Sequence, residues 1–179
     1  MRAFMFFLML LPAAAFARDW NVDMARSGLG FDGTYQGGAF AGKFSQWSAA
    51  IAYDETDLTH AKFDVTVQLS SVDTGSGERD QTLATADFFD TPKFPQAHFV
   101  TTGFSRGADG GVLAQGTLTI RDIVKPVTLK VTFALSGGAT TLDVSTTLNR
   151  KDFGLGTSSD WDDIGTQVNV HAHLVLTPK

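Results

Sequence analysis

Four groups of residues in this chain carry side chains that could do chemistry. His171 and His173, two apart, put two imidazoles on one face of an extended strand, a spacing able to chelate a metal ion. They fall on the polar side of that strand, with no carboxylate pair spaced to complete a site, so they read as surface histidines. His98 stands alone beside a Phe-Pro turn at Phe94 and Pro95, and a lone histidine reads as structural. Arg79 and Asp80 are adjacent at the head of a short helical pattern. They read either as an ion-paired helix start or with Arg79 turned toward the polar end of a ligand. Asp160, Asp162 and Asp163 form an acidic loop, but a calcium loop needs ligands at fixed alternation and a glycine turn. No nucleophile elbow, phosphate-binding loop or dinucleotide fingerprint is present. No catalytic residue, metal site or cofactor is therefore expected, and the chain reads as a non-enzyme.

What remains is apolar. The chain has 179 residues, a net charge of −5, 15 phenylalanines and no cysteine. That length suits one domain with a sizeable core. The acidic balance argues against nucleic acid or an anionic lipid surface as partner. Without cysteine there is no disulfide, no thiolate catalysis, no cysteine–zinc site and no lipid-modified N-terminal cysteine. Residues 1–17 read as a signal peptide: Arg2, an apolar run over 3–11, and Ala15-Phe16-Ala17 as cleavage pattern. The run is shorter than the roughly 20 residues of a spanning helix. The expected mature chain is 18–179, exported, with no stable membrane anchor.

Most of that chain alternates with a period of two. Leu29, Phe31, Gly33 and Tyr35 share one parity; Phe40, Gly42 and Phe44 repeat it, and Ile51 and Tyr53 continue it. Phe63, Val65, Val67 and Leu69 face one way, with Lys62, Asp64, Thr66 and Gln68 opposite. Residues 97–106 and 112–121 read as a hairpin, with Leu118 and Ile120 inward. The set from Val127 through Leu129, Val131, Phe133 and Leu135 follows, then a turn at Gly137-Gly138. Leu142, Val144, Thr146 and Leu148 come next, and Val168 to Leu176 close the chain. Each run has one apolar face, the mark of half-buried strands. The expected fold is all-β: an antiparallel up-and-down eight-stranded β-barrel, lipocalin-like, with one short helix in an insert. Closure removes the sheet edges, and eight strands leave an interior that is either filled or holds one small ligand.

The insert is 70–95. It carries a turn at 73–75, then Glu78 and Asp80, which suit the positive end of a helix starting near Gly77. Pro92 ahead predicts that the helix stops near Phe88. Leu83, Phe88, Phe89 and Phe94 would sit at the barrel mouth, with Phe153 and Trp161 from the polar loop 150–165. Phe31, Phe44, Phe63, Val65, Val67, Leu118 and Phe133 would line the interior. Arg79 is the cation best placed for a head group. So many aromatics at mouth elements favour an open apolar cavity over a filled one.

Residues 72–99 contain V-D-T-G-x-G-x-R-D-x-x-L-x-x-x-D-F-F-D-x-x-x-F-P-x-A-x-F. This segment resembles the YceI-like family of periplasmic polyisoprenoid-binding proteins. Two further pieces agree: W-N-V-D-M-A-R-S-G-L-G-F over 20–31 with G-K-F over 42–44, and G-T-L-T-I-R-D-I-V-K-P-V-T-L over 116–129. Asp122 departs from the family, which usually has glycine after the Ile-Arg pair. The resemblance implies non-covalent binding of a polyisoprenoid or quinone-like lipid in a barrel tunnel in the periplasm. Two other readings stay open: a barrel isomerase or hydrolase acting on a lipid, and a ligand-free, stress-related protein with a filled barrel. A homodimer is left open as the assembly.

Overall fold

The computed structural model describes residues 17–136 and 139–179. Nearly all of the expected signal peptide (1–16) and the expected Gly137-Gly138 turn lie outside the described residues. Eleven strand segments are present: β1 (Asp19–Val22), β2 (Gly28–Tyr35), β3 (Gly38–Phe44), β4 (Trp47–Ala52), β5 (Lys62–Gln68), β6 (Val72–Asp73), β7 (Gln96–Arg106), β8 (Val112–Ile120), β9 (Ile123–Ser136), β10 (Ala139–Asn149) and β11 (Gln167–Pro178). All pair antiparallel, and the order β1-β4-β5-β7-β8-β9-β10-β11 closes on itself because β1 also pairs with β11. This is the expected eight-stranded up-and-down barrel.

The three surplus segments come from bent strands. β1 and β2 run along the same partner: Trp20 lies opposite Pro178, and Leu29 opposite Ala172. β3 and β4 are likewise one strand interrupted at Ser45-Gln46, and a 3₁₀ turn at Leu69–Ser71 separates β5 from β6. A strand that must curl tightly while keeping its apolar face inward breaks its ladder at such points.

Alternation sets what faces in. Phe63 is 2 % exposed, with its ring 4.9 Å from Phe104 and 5.8 Å from Tyr53. Its backbone is held where β7 bulges, since the Thr101 hydroxyl accepts the Phe63 N–H at 2.9 Å. Gly116 allows close inward packing, because a Cβ there would sit 2.6 Å from the Phe99 ring. One end of the barrel is plugged by a cluster of Trp20, Ile51, Tyr53, Phe63, Leu174 and their neighbours. The Trp20 indole N–H donates to the Tyr53 carbonyl at 2.9 Å, which stitches the plug. A second cluster, with Leu69, Phe88, Phe99 and Phe153, sits toward the other end.

Leu135 has the inward parity of β9 yet is 74 % exposed, near the end of the long β9. At the β8–β9 turn, Ile120 stands opposite Ile123, and Arg121 takes a positive φ of 59°. The tight turn thus forms with the left-handed residue at Arg121 rather than at the position of Asp122.

The one α-helix among the described residues, α1, spans Gly77–Ala84 and ends earlier than the expected stop near Phe88. Ser76 caps its start, its hydroxyl accepting from the Arg79 N–H. Its last carbonyls are taken by a turn: Thr85 Oγ1 donates to Thr82, Phe89 N–H to Leu83, and Thr91 N–H to Ala84. That early stop buries Phe88 and Phe89, which are 3 % and 8 % exposed.

Candidate ligand cavity

Between the plug and the insert lies a cavity of about 470 Å³. That is within the roughly 300–1,000 Å³ of small-molecule sites. Phe31 of β2, Phe44 of β3, and Phe63, Val65 and Val67 of β5 line it, as does Leu118 of β8. At the mouth its walls include Leu83 of α1, Phe88, Phe89 and Phe153. Ten of the expected positions, together with Arg79, therefore front one space.

Two do not. Phe133 has the right parity but the wrong depth: it packs in the plug, 5.1 Å from Tyr53 and 5.6 Å from Trp20. Phe94 stands outside the lining, half-buried, with the Lys93 ammonium 4.9 Å and the Arg121 guanidinium 5.7 Å from its ring centre. There its ring packs by cation–π contact against Lys93 and Arg121, the latter donating to the Phe88 carbonyl at 3.4 Å.

At the mouth, Arg79 donates from Nη2 to the Thr74 carbonyl at 3.1 Å, and its guanidinium lies 4.6 Å from the centre of the Phe40 ring. Its Nε is buried without a partner. Arg79 makes no ion pair with Asp80, because consecutive residues on a helix diverge. Asp80 instead accepts from the Thr74 N–H at 3.0 Å and its hydroxyl at 2.6 Å. Both side chains thus clamp Thr74, and the Arg79 charge faces the cavity with no carboxylate bonded to it among the described residues.

Arg150 lines the same space and was missed from the sequence. It is 5 % exposed. Its five N–H groups meet five carbonyls: Gly165 at 3.0 Å, Leu155 at 2.7 Å, Gly156, and Trp161 and Ile164 at 2.8 Å each. Burial away from water lowers its pKa from the ordinary value. Loop 150–166 is therefore wound around one guanidinium, and it reaches across the mouth. Gly165 N–H donates to Thr34, Gln36 N–H to Asp163, and Gly156 N–H to Asp87. The Trp161 indole packs edge-on against Phe88 at 5.0 Å and donates to Asp87 at 3.3 Å. Gly156 has φ of 56°, and a Cβ there would sit 2.8 Å from the Phe88 ring.

Of the other polar candidates, Asp160 is exposed, His171 is exposed but also borders the cavity, and the histidines and two of the aspartates are paired. His98 pairs with Asp64 at 2.8 Å, His173 with Asp143 at 2.6 Å, and His171 with Asp32 at 3.5 Å. Asp162 pairs with Lys151, and Asp163 accepts from the Gln36 amide. No grouping able to hold a metal ion occurs among the described residues. Deep in the cavity the walls are aliphatic and aromatic, with Ile51, Phe63, Leu142 and Leu174 at the far end. Such a space takes up apolar matter, and its charged side chains gather at the mouth.

Comparison with known proteins agrees with this architecture. The profile of the YceI-like domain matches residues 20–176. A UPF0312 protein of Shewanella denitrificans is 33 % identical over 125 residues, or 68 % of this chain and 65 % of the relative. The matched part thus spans about two thirds of that relative's length. The crystal structure of Burkholderia cenocepacia BcnA superposes with a TM-score of 0.81 at 28 % identity, covering 88 % of this chain and all of that one. A polyisoprenoid-binding domain from Saccharophagus degradans superposes at 0.67 with 17 % identity, over 92 % of this chain and all of that one, which is a likeness of fold. By sequence profile and by architecture, this chain belongs to the YceI-like domain family.

Proposed function

We propose that this protein holds an apolar chain, a polyisoprenoid or a quinone-like lipid, non-covalently inside its barrel. The observation that carries this reading is the cavity itself: about 470 Å³, apolar along its length, with Arg79 at its mouth. Burying each methylene gains about 0.8 kcal/mol, so the walls supply affinity without any reacting group. The fold shared with a domain described as polyisoprenoid-binding supports the same ligand class. A filled barrel would lack this space, and an isomerase or hydrolase would need a titratable group at the apolar far end. The function is binding, for transport, storage or sequestration, rather than catalysis.

The leader-like residues 1–17 support a periplasmic place of work, where an insoluble lipid needs a sheltered route through water. The test is a displacement titration with prenols of graded length, with affinity growing as the chain lengthens.

A further inference from the structure

The barrel wall is not closed everywhere. β1 pairs with β4 only through Asp19 opposite Ala52 and Trp20 opposite Ile51. The rest of β4, back to Trp47, pairs with β5 alone. The β2–β3 ladder starts only at Leu29 opposite Phe44. Between these points, residues 21–27 and 45–50 face each other without a ladder. The bend at 23–27 is tied the other way, onto β11: Asp23 N–H donates to the Val175 carbonyl, and the Ser27 hydroxyl accepts from Val175 N–H at 2.9 Å. A closed barrel normally pairs every edge. Here a slit is left in its side.

Only side chains close the slit, Trp20 and Ile51 with Val22, Trp47 and Ala49 packed against them. Trp47, Ala49 and Ile51 line the main cavity, and the same three line a trough on the outer surface with Trp20, Val22 and Met24. One layer of side chains therefore separates inside from outside, and alanine is its middle member. Met24 is 45 % exposed on the outer rim.

Size gives the slit a use. A methylene takes about the space of a water molecule in the liquid, ~30 Å³, so the cavity of about 470 Å³ holds on the order of 15 carbons. A long polyisoprenoid overflows it. Loop 150–166 and the insert are bolted together across the mouth by the Asp87 contacts. We propose that the slit between β1 and β4 is a second opening of the cavity, through which the far end of a long bound chain passes into the Trp20–Met24 trough. This rests on the lipid reading above and extends it: the barrel is a threaded tunnel, and its volume does not cap ligand length.

The test compares farnesol, which fits the cavity, with solanesol, three times as long, on wild type and Ala49→Trp. The bulky ring is placed to fill the slit. Wild type should bind solanesol at least about 10-fold more tightly than farnesol, because further methylenes are buried in the trough. In Ala49→Trp the two prenols should bind alike, the gain for solanesol being lost, and its urea unfolding midpoint reports an intact barrel. Should Ala49→Trp fail to fold, Met24→Cys carrying an environment-sensitive dye gives the same answer, since the chain has no other cysteine. Its emission should shift with solanesol and not with farnesol. Solanesol binding that Ala49→Trp leaves unchanged, or bound solanesol that the dye does not see, overturns the slit and spares the lipid reading. Failure of wild type to bind either prenol overturns both.

Discussion

The guanidinium of Arg79, on α1, lies 4.6 Å from the centre of the Phe40 ring on β3. That stacking spans the cavity mouth and fixes one cation there. Arg79→Ala should weaken lipids with anionic heads by about 5–10-fold, from the loss of one charge-assisted contact, and neutral quinone-like lipids by less. Competition titrations with matched tails and different heads measure the ratio. An equal loss for both head types would remove Arg79 from head-group recognition and leave it a purely structural role at Thr74.

Arg150 presents a different case, since its charge is spent on backbone. Arg150→Met would leave five carbonyls of loop 150–166 without their donor. The expected loss is roughly 3–5 kcal/mol in urea unfolding, in the range for breaking a buried charged network. Arg150→Lys should recover only part, having three donors for five acceptors. A loss under about 1 kcal/mol for Arg150→Met would mean that the loop is held by its other contacts.

Adjacent residues at the start of β5 test the register. Phe63→Ala should cost roughly 3–5 kcal/mol, because it empties a site packed by Tyr53 and Phe104. Lys62→Ala, on the exposed side, should stay within about 0.5 kcal/mol of wild type. Equal unfolding midpoints for the two variants would place the wrong face inward.

Tyr53 makes stability depend on alkaline pH. Burial pushes its hydroxyl from 10.0 up to about 12, with the Glu55 carboxylate adding to the rise. The folded protein keeps this proton after the unfolded chain has lost it. Stability from this group is therefore intact below pH ~10 and falls as pH rises from about 10 to about 12, by roughly 2–3 kcal/mol in total. Tyr53→Phe should lack that component. Parallel stability curves for the two proteins across this window would contradict the assignment.

Much of this architecture was legible because each strand has one wet face and one dry face. Alternation placed Phe63, Val65, Val67 and Leu118 inward, where they line the cavity. Parity does not report depth along the barrel axis, so Phe133 was grouped with cavity residues although it belongs to the plug. The broken strands were not legible either, since a bend such as 23–27 is set by bonds to β11, far away in the chain. Helix α1 stopped early through the side chain of Thr85 and the turn behind it, a local competition that the distant Pro92 concealed. Arg150 left no signal because its partners are carbonyls, which every residue has. In the insert, residue types spoke clearly for Phe88 and Phe89, and misled for Phe94.

The account stands on whether the barrel binds apolar chains by burying them. Displacement of a fluorescent alkyl probe from the wild-type protein by prenols of increasing length reads this directly. Affinity should climb from the shortest member, by up to ~4-fold for each methylene buried, at least until the cavity of about 470 Å³ is filled. Affinity that stays constant with chain length would contradict it.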